Sequence, residues 1–451
     1  MGSPLIDFYK DKTVFVTGGT GFVGTALIEK LLYSCKDLNR VYLLTKPRYG
    51  KSIEERMVHW LGSEAFERLR TDNPDALKKI KPMQGNIQDE NFGLSNSDLK
   101  TLQTEVNIVF HVAANIHFDM TLSEAVGINT RATEEIIKIC KGMKQMQALV
   151  YVSTAYSNCN RNVIHEKVYG TDMPLNVAYY AVNNCTNKRM LDILIEGRPN
   201  TYSFSKMLSE QLFANAFQEL PITIVRPSVI TSSIREPCPG WLKGWSGVNL
   251  LAVYLGTNTL RCWVGDKGKV LDLVPVDMSV NMIIASAWDV AREWKVNKEE
   301  IKVFNYCSAL QNPVTHGQYN DSCKQYLTRQ SIFPFNLPPL VIENRTLYSI
   351  VHFLIQTIPD TILTALCWIF GQNSFLSKLL PNKRFLDVIK HLEFFSENEF
   401  MFIDYNVREL YNKMDAIDQE VFDFNIRNVN WDSYLKVYAK GLEKHVLGKQ
   451  K

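Results

Sequence analysis

Tyr202 and Lys206 stand four positions apart in the sequence. A tyrosine hydroxyl can donate a proton, and a neighbouring lysine ammonium can assist that donation. The two residues lie at the start of an apparent helix, where residues four apart share one face. An ammonium beside a phenol lowers the pKa of the phenol from about 10 and makes its hydroxyl a better proton donor to a carbonyl that accepts hydride. The pair indicates carbonyl reduction, although many helices contain a core tyrosine beside a surface lysine by chance.

Two hydroxyl side chains, Ser153 and Thr154, come directly after the apolar run Leu149 to Val152. A run of this kind predicts a buried strand, and ligands bind at the carboxyl edge of a parallel sheet. A hydroxyl there can hold a substrate carbonyl opposite Tyr202. Without Tyr202, a helix cap or a turn would be the better interpretation of the two hydroxyls.

A glycine-rich turn, Thr17 to Gly24 (TGGTGFVG), separates a β-branched run from a segment with helical spacing. In such a turn Gly18 permits the tight bend, Gly21 lets the backbone approach a pyrophosphate, and Gly24 lets the helix pack closely on the strand. The N–H groups at the helix start can bind the anion. The motif predicts dinucleotide binding, and a purely structural turn is the weaker alternative.

The second predicted strand, Val41 to Leu44, is followed by Thr45-Lys46-Pro47-Arg48. A cofactor with a free ribose 2′-hydroxyl would favour Asp or Glu at this place, whereas two cations suit a 2′-phosphate. Lys46 and Arg48 therefore favour NADPH over NADH. A solvated basic loop is the alternative, because exposed Lys and Arg need no special reason.

The elements that must position these groups alternate between strand and helix. Beyond the first two strands, apolar runs predict strands at Ile80 to Met83, Val106 to Val112, Ala148 to Val152 and Ile222 to Val225, with helix-like segments such as Ala132 to Cys140 and Lys206 to Glu219. This alternation predicts an α/β fold, a Rossmann-like doubly wound parallel sheet with helices on both faces.

Composition narrows the class of protein. The 451 residues exceed the usual size of one core, so two domains or one enlarged domain are expected. The balance of 50 Lys+Arg against 47 Asp+Glu, with 46% hydrophobic residues, describes a globular protein and excludes a nucleic-acid partner. The nine cysteines are scattered, which indicates reduced thiols facing cytosol and no metal site. The N-terminus carries neither a secretory nor a myristoylation signal.

Prolines interrupt the chain near residue 335, in Phe333 to Pro339. We place a domain boundary there, which gives a reductase domain with substrate-binding insertions at residues 1–335 and a mainly helical domain at residues 336–451.

The apolar segment Leu347 to Gly371 contains one charge, Asp360, beside Pro359. A charge is costly in hydrocarbon, so two short apolar helices are expected rather than one span. The segment can form buried helices of a soluble domain or attach the protein to a membrane, and the sequence favours neither. For the fractionation experiment we expect the protein to stay with the membrane after a high-salt wash.

The order of motifs resembles an extended short-chain dehydrogenase/reductase: TGGTGFVG, HVAAN (His111 to Asn115), Asn129, VSTAY (Val152 to Tyr156), YSFSK (Tyr202 to Lys206) and IVRPSVI (Ile224 to Ile230). More particular stretches resemble fatty acyl-CoA reductases, among them EERMVHWLGSEAFERLR, STAYSNCNR, RPNTYSFSK, EPCPGW, DLVPVDMSVN and VNWDSYLKVYAKGLEKHVL. The match covers almost the whole chain, including the C-terminal domain, and the chain resembles the short-tailed members without a terminal transmembrane span.

The resemblance implies a role for each matching residue. The pyrophosphate would be held by Gly18, Thr20, Gly21, Phe22, Val23 and Gly24; the 2′-phosphate by Lys46 and Arg48; the adenine by Asn86 and Ile87; and the ribose region by Ala113, Ala114 and Asn115. Pro227, Ser228 and Val229 would line the nicotinamide end, where Tyr202 and Lys206 also contact the cofactor. Thr154 best matches the substrate-binding hydroxyl, with Ser153 second.

The implied activity is reduction of a long-chain fatty acyl-CoA to the fatty alcohol by NADPH, through a bound aldehyde and with release of CoA. The implied location is the cytosolic face of an intracellular membrane, the endoplasmic reticulum first, with the peroxisome and lipid droplet as alternatives. Two other functions stay open: a nucleotide-sugar or steroid reductase of the same superfamily, and a catalytically silent NADPH-binding scaffold. Acyl length and oligomeric state are not indicated.

Overall fold

The structure is a computed structural model, which describes residues 2–116, 120–170, 175–184, 193–195, 197–244, 247–296, 298–327, 339–370, 389 and 392–448. The proline-rich connection expected at residues 333–339 lies almost wholly outside the described residues. The boundary at residue 335 therefore stays a prediction.

A parallel sheet of seven strands forms the centre of the described part of the chain. Its order is β11-β7-β5-β4-β1-β2-β3, with every neighbouring pair parallel. The strands are β1 (Thr13–Thr17), β2 (Arg40–Thr45), β3 (Ile80–Gln84), β4 (Ile108–His111), β5 (Ala148–Val152), β7 (Ile222–Pro227) and β11 (Lys302–Tyr306). Every residue of β1, β4, β5 and β7 is buried, as expected of strands covered on both faces. The predicted doubly wound fold is confirmed.

Short strands pair outside this sheet and connect distant parts of the chain. They are β6 (Val163–Ile164), β8 (Val229–Thr231), β9 (Cys262–Val264), β10 (Leu273–Pro275), β12 (Leu340–Ile342) and β13 (Met401–Phe402), which pair as β8 with β10, β9 with β12 and β6 with β13. The pairing of β13 with β6 joins the C-terminal region to the loop that follows β5.

Helices flank the sheet and form most of the C-terminal region. They are α1 (Pro4–Tyr9), α2 (Phe22–Ser34), α3 (Ile53–Leu61), α4 (Glu67–Asp72), α5 (Asn96–Glu105), α6 (Leu122–Ala125), α7 (Arg131–Lys141), α8 (Leu175–Asn184), α9 (Thr201–Ala216), α10 (Gly247–Gly256), α11 (Val276–Glu293), α12 (His316–Leu327), α13 (Arg345–His352), α14 (Ile358–Phe370), α15 (Tyr405–Lys413), α16 (Ala416–Val421) and α17 (Trp431–Leu442). Residues 392–397 are helical too, and π-helical turns follow α6, α13 and α17 at Val126–Thr130, Phe353–Thr357 and Glu443–Leu447. One apolar core includes residues of β1, α2, α11, α15 and α17, so the C-terminal helices pack on the same core as the sheet.

The prediction of two short helices between Leu347 and Gly371 is wrong for the described part of that segment, because α13, the π-helical turn and α14 form one continuous helix. Pro359 cannot donate to the carbonyl of Ile355, four residues earlier. The guanidinium of Arg261 binds that carbonyl at 3.1 Å and also pairs with Asp360 at 2.9 Å. An outside cation thus compensates for both residues expected to break the helix.

The helix Arg345–Ile369 is long and apolar enough to cross a membrane, judged by length and composition alone. Only 11% of its most apolar 18-residue stretch is buried. It is therefore not a core helix among the described residues.

Candidate functional site

The glycine turn between β1 and α2 has the shape that a dinucleotide needs. Gly18 has a φ of 71°, and a Cβ at Gly18 would lie 2.6 Å from the backbone nitrogen of Ala113. A Cβ at Gly24 would collide with the carbonyl of Gly18, so only glycine lets α2 start this close to β1. The backbone packing requires glycine at both positions.

The start of α2 is open toward solvent. Gly21 is the N-cap of α2, it is exposed, and no side chain caps it. The first N–H groups of a helix lack partners within the helix and attract anions. Thr20, Phe22 and Val23 lie beside Gly21 and are half-buried. The residues predicted to bind pyrophosphate therefore form one contiguous cradle at this helix start.

Three cations lie at the carboxyl end of β2, one more than the sequence analysis identified. Lys46 Nζ donates to Asn86 Oδ1 at 2.9 Å, and the Arg48 guanidinium lies 4.8 Å from the ring centre of Tyr49. Arg56, on α3, donates to Thr45 Oγ1 at 3.1 Å and to the carbonyl of Lys46. Burial, with the nearby charge of Arg48, lowers the pKa of Arg56. Such a cluster favours a bound anion.

The adenine and ribose residues lie at the neighbouring strand ends. Ile87 follows β3 and packs against the core, close to Asn86. Ala113 to Asn115 follow β4, and the Ala113 backbone faces Gly18. All these predicted residues line the same edge of the sheet.

Asn129 connects the segment after β4 to α9. The sequence analysis named Asn129 in the motif order but assigned it no role. The backbone nitrogen of Asn115 donates to Asn129 Oδ1 at 2.9 Å, and Asn129 Nδ2 donates to the Asn115 carbonyl at 3.2 Å and to Ser205 Oγ at 3.0 Å. Asn129 is buried in the π-helical turn Val126–Thr130, a geometry frequent at functional sites. Its place between HVAAN and YSFSK in the motif order was the available signal.

Lys206 lies in the interior with its charge directed at the end of β5. Its side chain is 1% exposed, and Nζ donates to the carbonyl of Val152 at 2.7 Å. The ammonium also lies 4.2 Å from the ring centre of Tyr151. Burial lowers the pKa of Lys206 to about 7, although the neighbouring Glu210 carboxylate favours the charged form.

Tyr202 lies one turn before Lys206 on α9, whose N-cap is Asn200. Burial raises the pKa of Tyr202, in contrast to the lowering expected from an adjacent ammonium. The physical reason is that burial desolvates the phenol, which penalises its charged form. At neutral pH the phenol is therefore protonated, as a proton donor must be.

Ser153 and Thr154 follow β5 but have different partners. Ser153 Oγ donates to Glu210 at 2.5 Å, and Glu210 forms a fully buried ion pair with Arg226 at 2.6 Å. Thr154 Oγ1 accepts from the backbone nitrogen of Tyr156 at 3.3 Å and caps the 3-10 turn Ala155–Asn158. The Thr154 hydroxyl keeps its own hydrogen for donation, whereas that of Ser153 is used by Glu210. Thr154 therefore remains the better candidate for the substrate hydroxyl. Its side chain also caps the 3-10 turn, as the alternative interpretation expected.

Pro227, Ser228 and Val229 lie at the end of β7, next to the same edge. Ser228 N donates to the carbonyl of Tyr306 at 3.0 Å, and Val229 N donates to the carbonyl of Asp272 at 3.3 Å. The Ser153 nitrogen donates to the Val225 carbonyl at 2.7 Å, which places the ends of β5 and β7 side by side. The arrangement can hold a carbonyl compound near a donor phenol, a hydroxyl and a cation. Within the described residues no cluster of side chains suits a metal ion.

Comparison with known proteins supplies the family. Profiles described as male sterility protein match residues 16–283 and 355–449. The protein named fatty acyl-CoA reductase wat of Drosophila melanogaster is 36% identical over 456 residues, covering 99% of this chain and 86% of the relative. The protein named fatty acyl-CoA reductase 1 of Homo sapiens is 31% identical over 450 residues, covering 98% of this chain and 86% of the relative.

Solved structures share the fold at low sequence identity. The reductase domain of a nonribosomal peptide synthetase from Mycobacterium tuberculosis superposes with a TM-score of 0.65 at 16% identity, covering 99% of this chain and 96% of that domain. The terminal R domain of the myxalamid pathway gives a TM-score of 0.61 at 19% identity, covering 96% and 91%. These likenesses establish the architecture alone.

Proposed function

The chain belongs to the fatty acyl-CoA reductase family, an oxidoreductase family with a nicotinamide-binding domain, and we propose that it reduces a long-chain fatty acyl-CoA to the fatty alcohol with NADPH. We assign the chemistry to Tyr202, Lys206 and Thr154. The observation that carries this assignment is the bond of 2.7 Å from Lys206 to the Val152 carbonyl, two residues before Thr154. That bond fixes the helix of Tyr202 against the strand end that presents the hydroxyl.

Each of the three groups has a separate task. A bound NADPH would supply one hydride to the carbonyl carbon, and a second NADPH, bound after NADP+ leaves, would supply the hydride for the second reduction. Tyr202 donates its proton to the carbonyl oxygen, and Thr154 donates a second hydrogen bond to that oxygen. Lys206 offsets the negative charge that develops there, in a site where water is excluded and charge acts strongly.

One set of groups serves both reductions, because both place negative charge on the same oxygen. The first reduction converts the thioester to a tetrahedral hemithioacetal and leaves Tyr202 deprotonated. Collapse then breaks the carbon–sulfur bond: the hydroxyl proton returns to Tyr202, CoA thiolate departs and an aldehyde remains. Tyr202 protonates the aldehyde oxygen in the second reduction, and solvent then restores the phenol.

The activity is tested by incubating the full chain with NADPH and hexadecanoyl-CoA. We expect one CoA thiol and one hexadecanol for every two NADPH oxidised. NADPH oxidation on a nucleotide sugar or steroid, without release of thiol, would support another reductase of the superfamily instead. Tight NADPH binding without turnover of any acyl-CoA would support the silent scaffold.

The preference for NADPH over NADH is a separate part of the proposal. Its support is the cluster of Lys46, Arg48 and Arg56 at the end of β2, with which no side-chain carboxylate of the described residues forms an ion pair. Guanidinium groups bind phosphate through two parallel hydrogen bonds. We expect kcat/KM for NADPH to exceed that for NADH; equal values would contradict the preference.

We also propose that the helix formed by α13 and α14 attaches the enzyme to the cytosolic face of an intracellular membrane, the endoplasmic reticulum first. Gln356 and Asp360 face the protein: Gln356 donates to the Thr259 carbonyl at 3.0 Å, and Asp360 pairs with Arg261. The large apolar side chains exposed on this helix are Leu347, Ile350, Phe353, Leu354, Ile358, Ile362, Trp368 and Ile369. An apolar face of this kind suits the boundary between lipid headgroups and acyl chains.

Membrane attachment is tested by fractionation. The wild type should pellet with membranes after a high-salt wash, because apolar contact resists salt. The double change Ile350→Asp and Phe353→Asp should release it, while Val58→Asp, at an exposed apolar position of α3, should not. A wild type found in the supernatant would contradict attachment.

A further inference from the structure

A loop far away in the sequence reaches the glycine turn. After β8, residues 233–243 fold back on themselves: Ser233 N donates to the Trp241 carbonyl and Trp241 N donates to Ser233 Oγ, both at 3.0 Å. The Trp241 ring lies 5.3 Å from the ring of Phe22, at the start of α2. The loop thus contacts the cradle predicted to hold pyrophosphate.

Fixed contacts hold this loop in place. The carboxylate of Asp277 accepts hydrogen bonds from the backbone nitrogens of Ile234, Arg235 and Glu236, at 2.8 to 3.1 Å. Gly240 has a φ of 77°, and a Cβ there would lie 2.9 Å from the carbonyl of Val437 in α17. Because its first half is anchored to α11 and its second half to α17, the loop presents its last side chain at a defined position.

That side chain is Lys243, an exposed lysine whose Nζ donates to the carbonyl of Thr20 at 2.7 Å. Thr20 and the exposed Gly21 form the mouth of the cradle. None of the residues predicted to bind the pyrophosphate carries a charge, whereas a dinucleotide pyrophosphate carries two negative charges. An ammonium has three N–H donors, so its bond to Thr20 is compatible with a contact to a phosphate oxygen.

We propose that Lys243 is a cofactor-binding residue that contacts the pyrophosphate of the bound dinucleotide and supplies the positive charge that the glycine turn lacks. The inference rests on the proposed binding of a dinucleotide by this turn. It separates the recognition of the two halves of the anionic cofactor: Lys243 binds the pyrophosphate, which NADPH and NADH share, and the cations after β2 bind the 2′-phosphate, which only NADPH has.

The test is a titration of the full chain with NADPH and with NADH, followed by nicotinamide fluorescence. Lys243→Ala should raise Kd for both dinucleotides by the same factor, about tenfold for a lost charge-assisted contact. Lys243→Arg should stay close to wild type, and Lys243→Glu should weaken both dinucleotides further. Arg56→Ala should weaken NADPH alone. The matched control is Lys100→Ala, at an exposed lysine of α5, which should change neither Kd.

Three results would overturn the inference. Unchanged Kd values in Lys243→Ala would show that the Thr20 contact is only a surface hydrogen bond. A loss confined to NADPH would assign Lys243 to the 2′-phosphate. A raised KM for hexadecanoyl-CoA with unchanged dinucleotide affinity would assign it to the pyrophosphate of CoA. A wild type that binds no dinucleotide would instead refute the proposed function.

Discussion

Replacing Lys206 by methionine removes a buried charge without removing the volume of its side chain. Burial lowers the pKa of this ammonium to about 7 in the folded protein. In the unfolded chain the group returns to about 10.4. Lys206→Met should therefore abolish a pH dependence of stability that the wild type shows.

The sign follows from proton binding. Between about pH 7 and about pH 10 the unfolded chain binds one more proton at this position than the folded protein, so the free energy of unfolding rises with pH. The rise attributable to Lys206 is at most about 1.4 kcal/mol per pH unit. Below about pH 7 both states carry the proton, and the contribution of Lys206 no longer changes with pH.

The assay is urea denaturation of both proteins at intervals from about pH 6 to about pH 9.5, with stability extrapolated to water. Other titrating groups are common to both proteins, so the difference between wild type and Lys206→Met isolates Lys206. We expect that difference to be flat below about pH 7 and to rise above it. The control is Lys100→Met, at an exposed lysine, for which no rise is expected.

A wild-type curve parallel to that of Lys206→Met across the whole range would refute this reasoning. It would mean that the folded protein keeps the ammonium charged to high pH. The carbonyl of Val152 and the ring of Tyr151, the contacts that surround the ammonium, would then outweigh the cost of burial.

Three further changes test the rest of the site. Arg56→Ala removes one of three cations near the predicted 2′-phosphate position, so Kd for NADPH should rise about tenfold while Kd for NADH stays the same. Gly18→Ala places a methyl against Ala113 at a positive φ, and dinucleotide binding should fall below detection in a fluorescence titration. Glu210→Gln leaves the buried Arg226 without its carboxylate, which should lower the free energy of unfolding in urea by about 3–5 kcal/mol.

Much of the fold could be predicted from the sequence because buried parallel strands read as apolar runs. The run Ala148 to Val152 coincides with β5, and the predicted bounds of β2 and β3 each lie within one residue of the observed bounds. The edge strand Lys302–Tyr306 was missed, because polar residues begin it and interrupt it. The continuous helix around Pro359 was missed, because its compensation comes from Arg261, almost a hundred residues away.

Part of the candidate site could likewise be predicted from the sequence, and part could not. Gly18, Thr154, Tyr202 and Lys206 follow strands or open helices, so motif order predicts which edge of the sheet they line. The use of Ser153 by Glu210 could not be predicted, because it depends on a side chain two helical turns beyond Tyr202. Lys243 depends on a loop that returns to the glycine turn over more than two hundred residues. Tertiary contacts of this kind leave no local pattern.

The central claim is that Tyr202 donates the proton to a carbonyl held beside a bound dinucleotide. Its most direct test is Tyr202→Phe, assayed for hexadecanol formation from hexadecanoyl-CoA and for NADPH affinity. We predict a fall in kcat of about a hundredfold or more, with Kd for NADPH close to wild type. Normal alcohol formation by Tyr202→Phe would contradict the claim.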